Sequence, residues 1–255
     1  MTAFLNALAF LTRLIPARSY DETDFARCVP FFAPTGLVLG MLCTAAAILT
    51  RTFMSTLSGF ENARPLAFAL AALLWLALEI WLTRGLHWDG LADLADAASS
   101  PAPRFWEILK DSRLGVFGAL SLLLAFCGQW ISIAWHVASC NWLLLILAPA
   151  WGRACVVWLA AAAHPHNPQS LGGLTKAGAS CRIAALHALA ALGAIIVLCA
   201  YSPLAWAQGL MLLAVQCWLI RVLAKLASEK GGFSGDFLGA AIVLGQSWFL
   251  LATLL

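Results

Sequence analysis

Charge is what this sequence has least of. Asp, Glu, Lys and Arg make up 11% of its 255 residues, less than half the share of about 25% in an ordinary soluble domain. A soluble body could not cover itself with so few charges, nor bury a chain that is 62% hydrophobic, so soluble and disordered classes are excluded. The net charge of +3 is too small for a polyanion partner, and no nucleic acid is expected. The eight cysteines include no C-x-x-C and no Cys/His cluster. Most lie in apolar runs, where a thiol behaves as a small hydrophobe rather than part of a metal or disulfide framework. Residues 1–11 are apolar but lack a basic leader and a small-residue cleavage site, and are not read as a removable signal. No Walker pattern occurs. What remains is an integral membrane protein in a lipid bilayer.

A spanning helix needs about 20 mostly apolar residues. Residues 28–50 carry no charge, and 65–83 carry only Glu79. Residues 114–152 are uncharged with a polar break at His136–Asn141, giving a helical hairpin whose second arm continues past Arg153 to residue 163. Residues 183–220 form another hairpin, broken at Tyr201-Ser202-Pro203, and 237–255 make a last span. The expected fold is all-α and polytopic, with seven or eight transmembrane helices, functional cytoplasmic loops and a single membrane-embedded domain over 1–255. Segment 1–16 is short for a span; spanning, re-entrant and interfacial readings stay open for it.

Loop charge sets the orientation. With 84–113 placed in the cytoplasm, one side holds Arg18, Arg27, Arg84, Arg104, Lys110, Arg113, Lys176, Arg182, Arg221, Lys225 and Lys230, eleven of fifteen basic residues. The other holds Arg51 and Arg64, while Arg13 and Arg153 lie in hydrophobic segments. Ten of the twelve acids fall in or beside the same loops, with Glu61 clearly across and Glu79 near a span end. No acid sits mid-span, as a transporter would be expected to place one.

The densest polar stretch, Arg84 to Asp96, opens the candidate catalytic loop 84–113. If it is helical, Asp89, Asp93 and Asp96 fall at i, i+4 and i+7, within about 60° of one another. Apolar Leu91, Ala92, Leu94 and Ala95 stand between them, so this is no solvated charged face. Two carboxylates about 5 Å apart repel by roughly 3 kcal/mol at an effective dielectric of about 20. A divalent cation would relieve this, and Mg²⁺ takes hard oxygen ligands together with substrate phosphates. The bland alternative is an ordinary acidic loop with Asp89 as a helix N-cap. Downstream, in Arg104 to Gly115, Phe105, Ile108 and Leu109 with Trp106 suggest a short amphipathic helix on the bilayer that ends near Asp111-Ser112-Arg113, with Lys110 and Arg113 as phosphate ligands or as positive-inside anchors. Arg153 must pair, snorkel or line a polar cavity, and Glu79 reads as a supporting or snorkelling residue. The glycine-rich stretches 171–176 and 230–236, with Lys176, Lys230 and Asp236, read as loops whose backbone could approach a phosphate. His164 and His166 are weaker ligand candidates. The tryptophans near span ends read as interfacial belts.

His87-Trp88-Asp89-Gly90-Leu91-Ala92-Asp93-Leu94-Ala95-Asp96, with Lys110-Asp111-Ser112-Arg113-Leu114-Gly115, resembles the paired signature of the cobalamin synthase (adenosylcobinamide-GDP ribazoletransferase) family. Phe10 to Pro16, Pro30 to Gly40, Trp151-Gly152-Arg153, the 171–174 stretch and Gly231 to Ala240 follow in the order that family shows. Arg84, Ala97 and Ser234 depart from its pattern, where a small residue, Gly and Thr are expected. The resemblance implies a bacterial inner-membrane enzyme, active at the cytoplasmic face, joining adenosylcobinamide-GDP to α-ribazole or its phosphate with release of GMP. It further implies Mg²⁺ on Asp89, Asp93 and Asp96, and a proton acceptor in His87 or one of these aspartates. Lys110, Arg113, Arg153, Lys230 and Asp236 become the residues around the substrate phosphates. A homo-oligomer or a complex with other cobalamin-assembly enzymes stays open. The D-G-L-A-D core also looks like a shortened CDP-alcohol phosphotransferase signature, so a lipid phosphotransferase is the rival enzyme. A cobinamide transporter or assembly subunit is the rival from another class.

Overall fold

In the computed structural model, residues 2–16, 21–57, 64–201 and 205–254 are described. Arg18, Glu61, Ser202 and Pro203 lie outside them. The elements are helices: α1 (Thr2–Leu11), α2 (Glu22–Cys28), α3 (Phe32–Leu57), α4 (Arg64–Leu82), α5 (Leu86–Ala98), α6 (Phe105–Ile108), α7 (Val116–Ala138), α8 (Trp142–Ala162), α9 (Leu171–Gly178), α10 (Cys181–Tyr201), α11 (Trp206–Glu229) and α12 (Gly235–Ala252). Among the described residues the only extended pairing is an isolated bridge between Pro165 and Phe233.

Seven helices are long and apolar enough to cross a membrane: α3 (continuous with α2), α4, α7, α8, α10, α11 and α12. This is the number the uncharged runs require, and the protein is a multi-pass membrane protein. α1, at ten residues, is about 15 Å long and too short to span. It is pinned at its end instead, where the Arg13 amide donates to the Leu82 carbonyl at 2.8 Å and the Arg84 guanidinium to the Thr12 carbonyl at 3.0 Å.

α8 is the axis of the bundle, buried over most of its length against α3 and α12. In lipid there is little hydrophobic drive between helices, so close packing decides association. Gly36 and Gly40 of α3 supply it, since a Cβ on either would run into the α8 backbone at Ala150 or Ile146. α4 packs on α3, α7 on α4, and α5 lies between α7 and α12. α10 buries least of the seven.

A polar knot ties four spans together. Arg153 on α8 and Glu79 on α4 are 2.8 Å apart, with side-chain exposures of 0% and 4%. Gln246 on α12 accepts from Arg153 at 3.1 Å and donates to both Glu79 at 2.8 Å and Gln129 of α7 at 3.0 Å. Gln129 in turn donates to Ser247 at 2.9 Å. Of the open readings for Arg153, pairing is what the structure shows.

Removing one member of a buried ion pair leaves the other charge stranded, at a cost of about 3–5 kcal/mol. Arg153→Leu should therefore lose about that much stability in detergent unfolding. The double variant Glu79→Gln/Arg153→Gln, which keeps hydrogen bonding without charge, should recover most of the loss.

Candidate active site

The stretch expected as a loop is mostly helix. Arg84 and Gly85 both take left-handed backbone, at φ 60° and 68°, breaking α4 from α5 and turning the chain onto α12. Gly85, not Asp89, is the residue that begins α5, and Asp89 stands inside the first turn. α5 can lie flat against α12 because Gly90 meets the Asp236 backbone and Gly239 meets that of His87, with no room for a Cβ at either.

This packing brings Asp236 to the acids of α5. Asp89, Asp236 and His87 line one cleft of about 120 Å³. Its walls come from Phe10 and Leu11 of α1, Phe32 of α3, Val156 of α8, and Leu171 and Thr175 of α9. Asp93, one turn beyond Asp89, is half-buried. Burial first, then the charges of Asp89, Asp236 and Asp96, push its carboxyl up to about 6. Among the described residues none of these four acids forms an ion pair, whereas Arg113 pairs with Asp111 and Arg104 with Glu107.

Asp96 is occupied differently. Its two oxygens accept from the amides of Gly115 and Gly118, each at 2.7 Å. That is an anionic cap on the α7 N-terminus, satisfying donors with no helical partner and complementing the helix dipole. The expected convergence of Asp89, Asp93 and Asp96 on one ion is therefore not displayed: among the described residues no three His, Cys, Asp or Glu side chains form a ready cage. Spacing along α5 puts the three on one face, but the α7 amides claim the third.

The other expected residues fall into three groups. Lys110 and Arg113 are exposed on the strip leading to Gly115, and Arg113 forms a two-pronged contact with Asp111. Lys230 lies beside this strip, its ammonium 4.9 Å from the Phe105 ring centre and its carbonyl accepting from Trp106 at 2.8 Å. Arg153 is sealed beneath the cleft. Its Nη1 is committed to Glu79, Gln246 and Pro149, while Nε and Nη2 have no partner. His87 is also turned inward, its Nε2 buried and unpartnered. Burial, then the Arg153 charge, hold this imidazole well below the usual histidine range, so it is neutral.

Two local expectations are corrected. The amphipathic helix expected to run from Arg104 to near Asp111–Arg113 shortens to α6, four residues long, with a turn at Leu109 and Lys110, because Phe105 and Leu109 pack inward. The 171–176 stretch is no phosphate loop but α9, nucleated by Ser170, whose hydroxyl accepts from the Gly173 amide. Its Lys176 is spent on the Ala161 carbonyl at 2.9 Å. The 230–236 stretch is a true turn, with Gly231 and Gly232 at φ 80° and 126°. It is held to 164–166 by Phe233 N–H donating to His164 and His166 N–H donating to Phe233, both at 2.9 Å. His166 stacks on Trp106 at 3.7 Å. The sequence reading missed Gln246 and Gln129 because it tracked formal charge; an amide in the middle of an uncharged span was the available signal.

The Cobalamin-5-phosphate synthase family profile matches residues 3–254. An adenosylcobinamide-GDP ribazoletransferase of Nitratidesulfovibrio vulgaris (strain DP4) is 42% identical over 250 residues, covering 97% of this chain and 95% of the relative. Another, from strain Miyazaki F, is 38% identical over 99% of this chain and 95% of its own. One from Laribacter hongkongensis is 32% identical over 98% and 96%. No solved structure matches.

Two measurements follow from the geometry. For Asp93, the folded carboxyl near 6 keeps a proton that the unfolded one has already lost, so its contribution to stability is present at low pH and lost as pH rises through about 6. In chelator, the melting temperature of Asp93→Asn minus that of the parent should therefore increase between pH 4.5 and 7. Asp96→Ala should destabilise by about 1 kcal/mol through loss of the α7 cap, read by the same unfolding assay.

Proposed function

This chain belongs to the Cobalamin-5-phosphate synthase family, an enzyme family of cobalamin nucleotide-loop assembly, and from its cleft we propose the reaction. It joins adenosylcobinamide-GDP to α-ribazole or α-ribazole phosphate and releases GMP, at the cytoplasmic face of the bacterial inner membrane. The observation that carries this reading is the group of carboxylates, Asp89 and Asp236 in the cleft with Asp93 beside them, that form no ion pair among the described residues.

Phosphoryl transfer rests on positioning and charge neutralisation. The ribazole hydroxyl oxygen forms a bond to the phosphorus next to the corrin arm, the bond between the two phosphates breaks, and GMP departs with the bridging oxygen. Asp89, Asp93 and Asp236 would hold Mg²⁺, which binds through one or two carboxylates, waters and substrate phosphates rather than a closed protein cage; when bound it supplies positive charge to the diphosphate. Their donor chemistry fits that ion, being hard oxygens with no cationic partner. Asp236 thus serves the phosphates through a cation, since a carboxylate cannot face them directly. Lys110, Arg113 and Lys230 surround the diphosphate from the rim. Arg113 exchanges Asp111 for a phosphate at little cost, because exposed ion pairs are worth only about 0–1 kcal/mol. Arg153 supports the site from below instead. A cluster carboxylate suits the proton from the attacking hydroxyl better than His87, whose Nε2 is buried away from solvent.

Membranes containing the protein should convert adenosylcobinamide-GDP and α-ribazole to product and GMP only with Mg²⁺ present. Asp89→Asn and Asp236→Asn should each lower kcat by about 100-fold or more, while Arg113→Ala should act mainly on KM. Full turnover in EDTA would remove the metal, and full turnover by Asp89→Asn would remove the site.

A further inference from the structure

On the side of α8 away from the acid cluster, a groove of about 380 Å³ opens between α3 and α10. Pro34 and Leu37 form one wall, Ala190 and Ala194 the other, and Ala150 and Ala154 the floor. Its lining is apolar except for Trp151 and His187: the Trp151 indole donates to Gln216 at 2.8 Å, and His187 Nδ1 lies 2.9 Å from the Ile183 carbonyl. Along α10 the groove runs from Ile183 to Leu198, about 22 Å at 1.5 Å per residue. It follows the span axis, and so the bilayer normal. One leaflet of hydrocarbon is about 15 Å deep, half the thickness of the core. The slot is therefore long enough to take an acyl chain through one leaflet, and it shares the chain's direction and chemistry.

The rim adds a second, polar requirement. Gly178 at the end of α9 packs on Ala26 and Val29; Arg27 stands three residues before the lining residue Pro30, and Arg182 directly before Ile183, so the two arginines flank the end of the groove that Pro30 and Ile183 line. Arg182 is exposed and forms no ion pair among the described residues. Arg27 has only an exposed contact with Asp24 at 3.7 Å, which a phosphate can replace. An apolar slot capped by arginines is complementary to a lipid with an anionic head.

We propose that this groove is a specific site for an anionic glycerophospholipid, one acyl chain lying between α3 and α10 and the phosphate resting on Arg27 and Arg182. The site is independent of the reaction assigned above. It does adjoin it, because α9 meets the lipid rim at Gly178 while Leu171 and Thr175 of the same helix wall the cleft.

The test uses the full chain purified in a neutral detergent, with lipid retention read by native mass spectrometry and stability by thermal unfolding. Phosphatidylglycerol should be retained at least about tenfold better than phosphatidylcholine of the same acyl chains, and should raise the melting temperature where inorganic phosphate does not. Ala194→Trp, or Ala190→Phe should the first fold poorly, fills the slot and should abolish retention in protein that still unfolds cooperatively. Arg182→Gln should reduce the preference for phosphatidylglycerol while leaving acyl binding. Equal retention of both lipids, an equal effect of inorganic phosphate, or undiminished retention by the filled variants would each overturn the site. None of these readouts depends on turnover, so failure here and failure of the transferase reading are distinguishable.

Discussion

Everything in the arrangement depends on one ion pair held where lipid surrounds the protein. Arg153 and Glu79 have almost no exposure, and two charges removed from water are tolerated only with close geometry and further hydrogen bonds. Gln246 provides those bonds to both partners and passes them on to Gln129. α4, α7, α8 and α12 are thereby fixed in mutual register. α5 continues α4 and lies on α12, so the same knot sets the distance between the acids of α5 and Asp236. A structural ion pair in the bilayer and an acidic cluster at its edge are two ends of one construction.

The acid cluster is the converse case. Asp96 is satisfied by amides, while among the described residues Asp89, Asp93 and Asp236 have no positive neighbour in an ion pair, and Asp93 feels all the others. Like charges gathered at a partly buried site raise one another's pKa and oppose folding unless something positive arrives. The fold tolerates this because α5 is held elsewhere: by Gly90 and Gly239 against α12, and by the Asp96 cap against α7. Stability is invested in the flanks of the cluster, leaving its centre for a ligand.

Much of this was legible in the chain and some was not. Span number follows from the length of uncharged runs, because the bilayer imposes both. The helical spacing of Asp89, Asp93 and Asp96 was equally visible, since it is a local property of α5. Which of the three would be free was not, because that depends on amides about 20 residues away, and neither was the arrival of Asp236 from the last span. The 171–176 stretch looked like a loop because its two glycines are poor helix formers, yet the Ser170 cap and packing of Gly172 on Phe233 carry it into helix. Arg153 announced that it needed a partner, and Glu79 was the available acid. The amide that completes the pair gave no charge to notice.

α12 also couples two properties that could have been separate. It packs against α5, α7, α8 and α11 and carries both Gln246, which bridges Arg153 and Glu79, and Asp236, which joins Asp89 in the cleft. A small rotation of this one helix would withdraw the bridging amide from the buried pair and a carboxylate from the cleft together. Damage to the bundle interior and damage to the cleft are thus a single event.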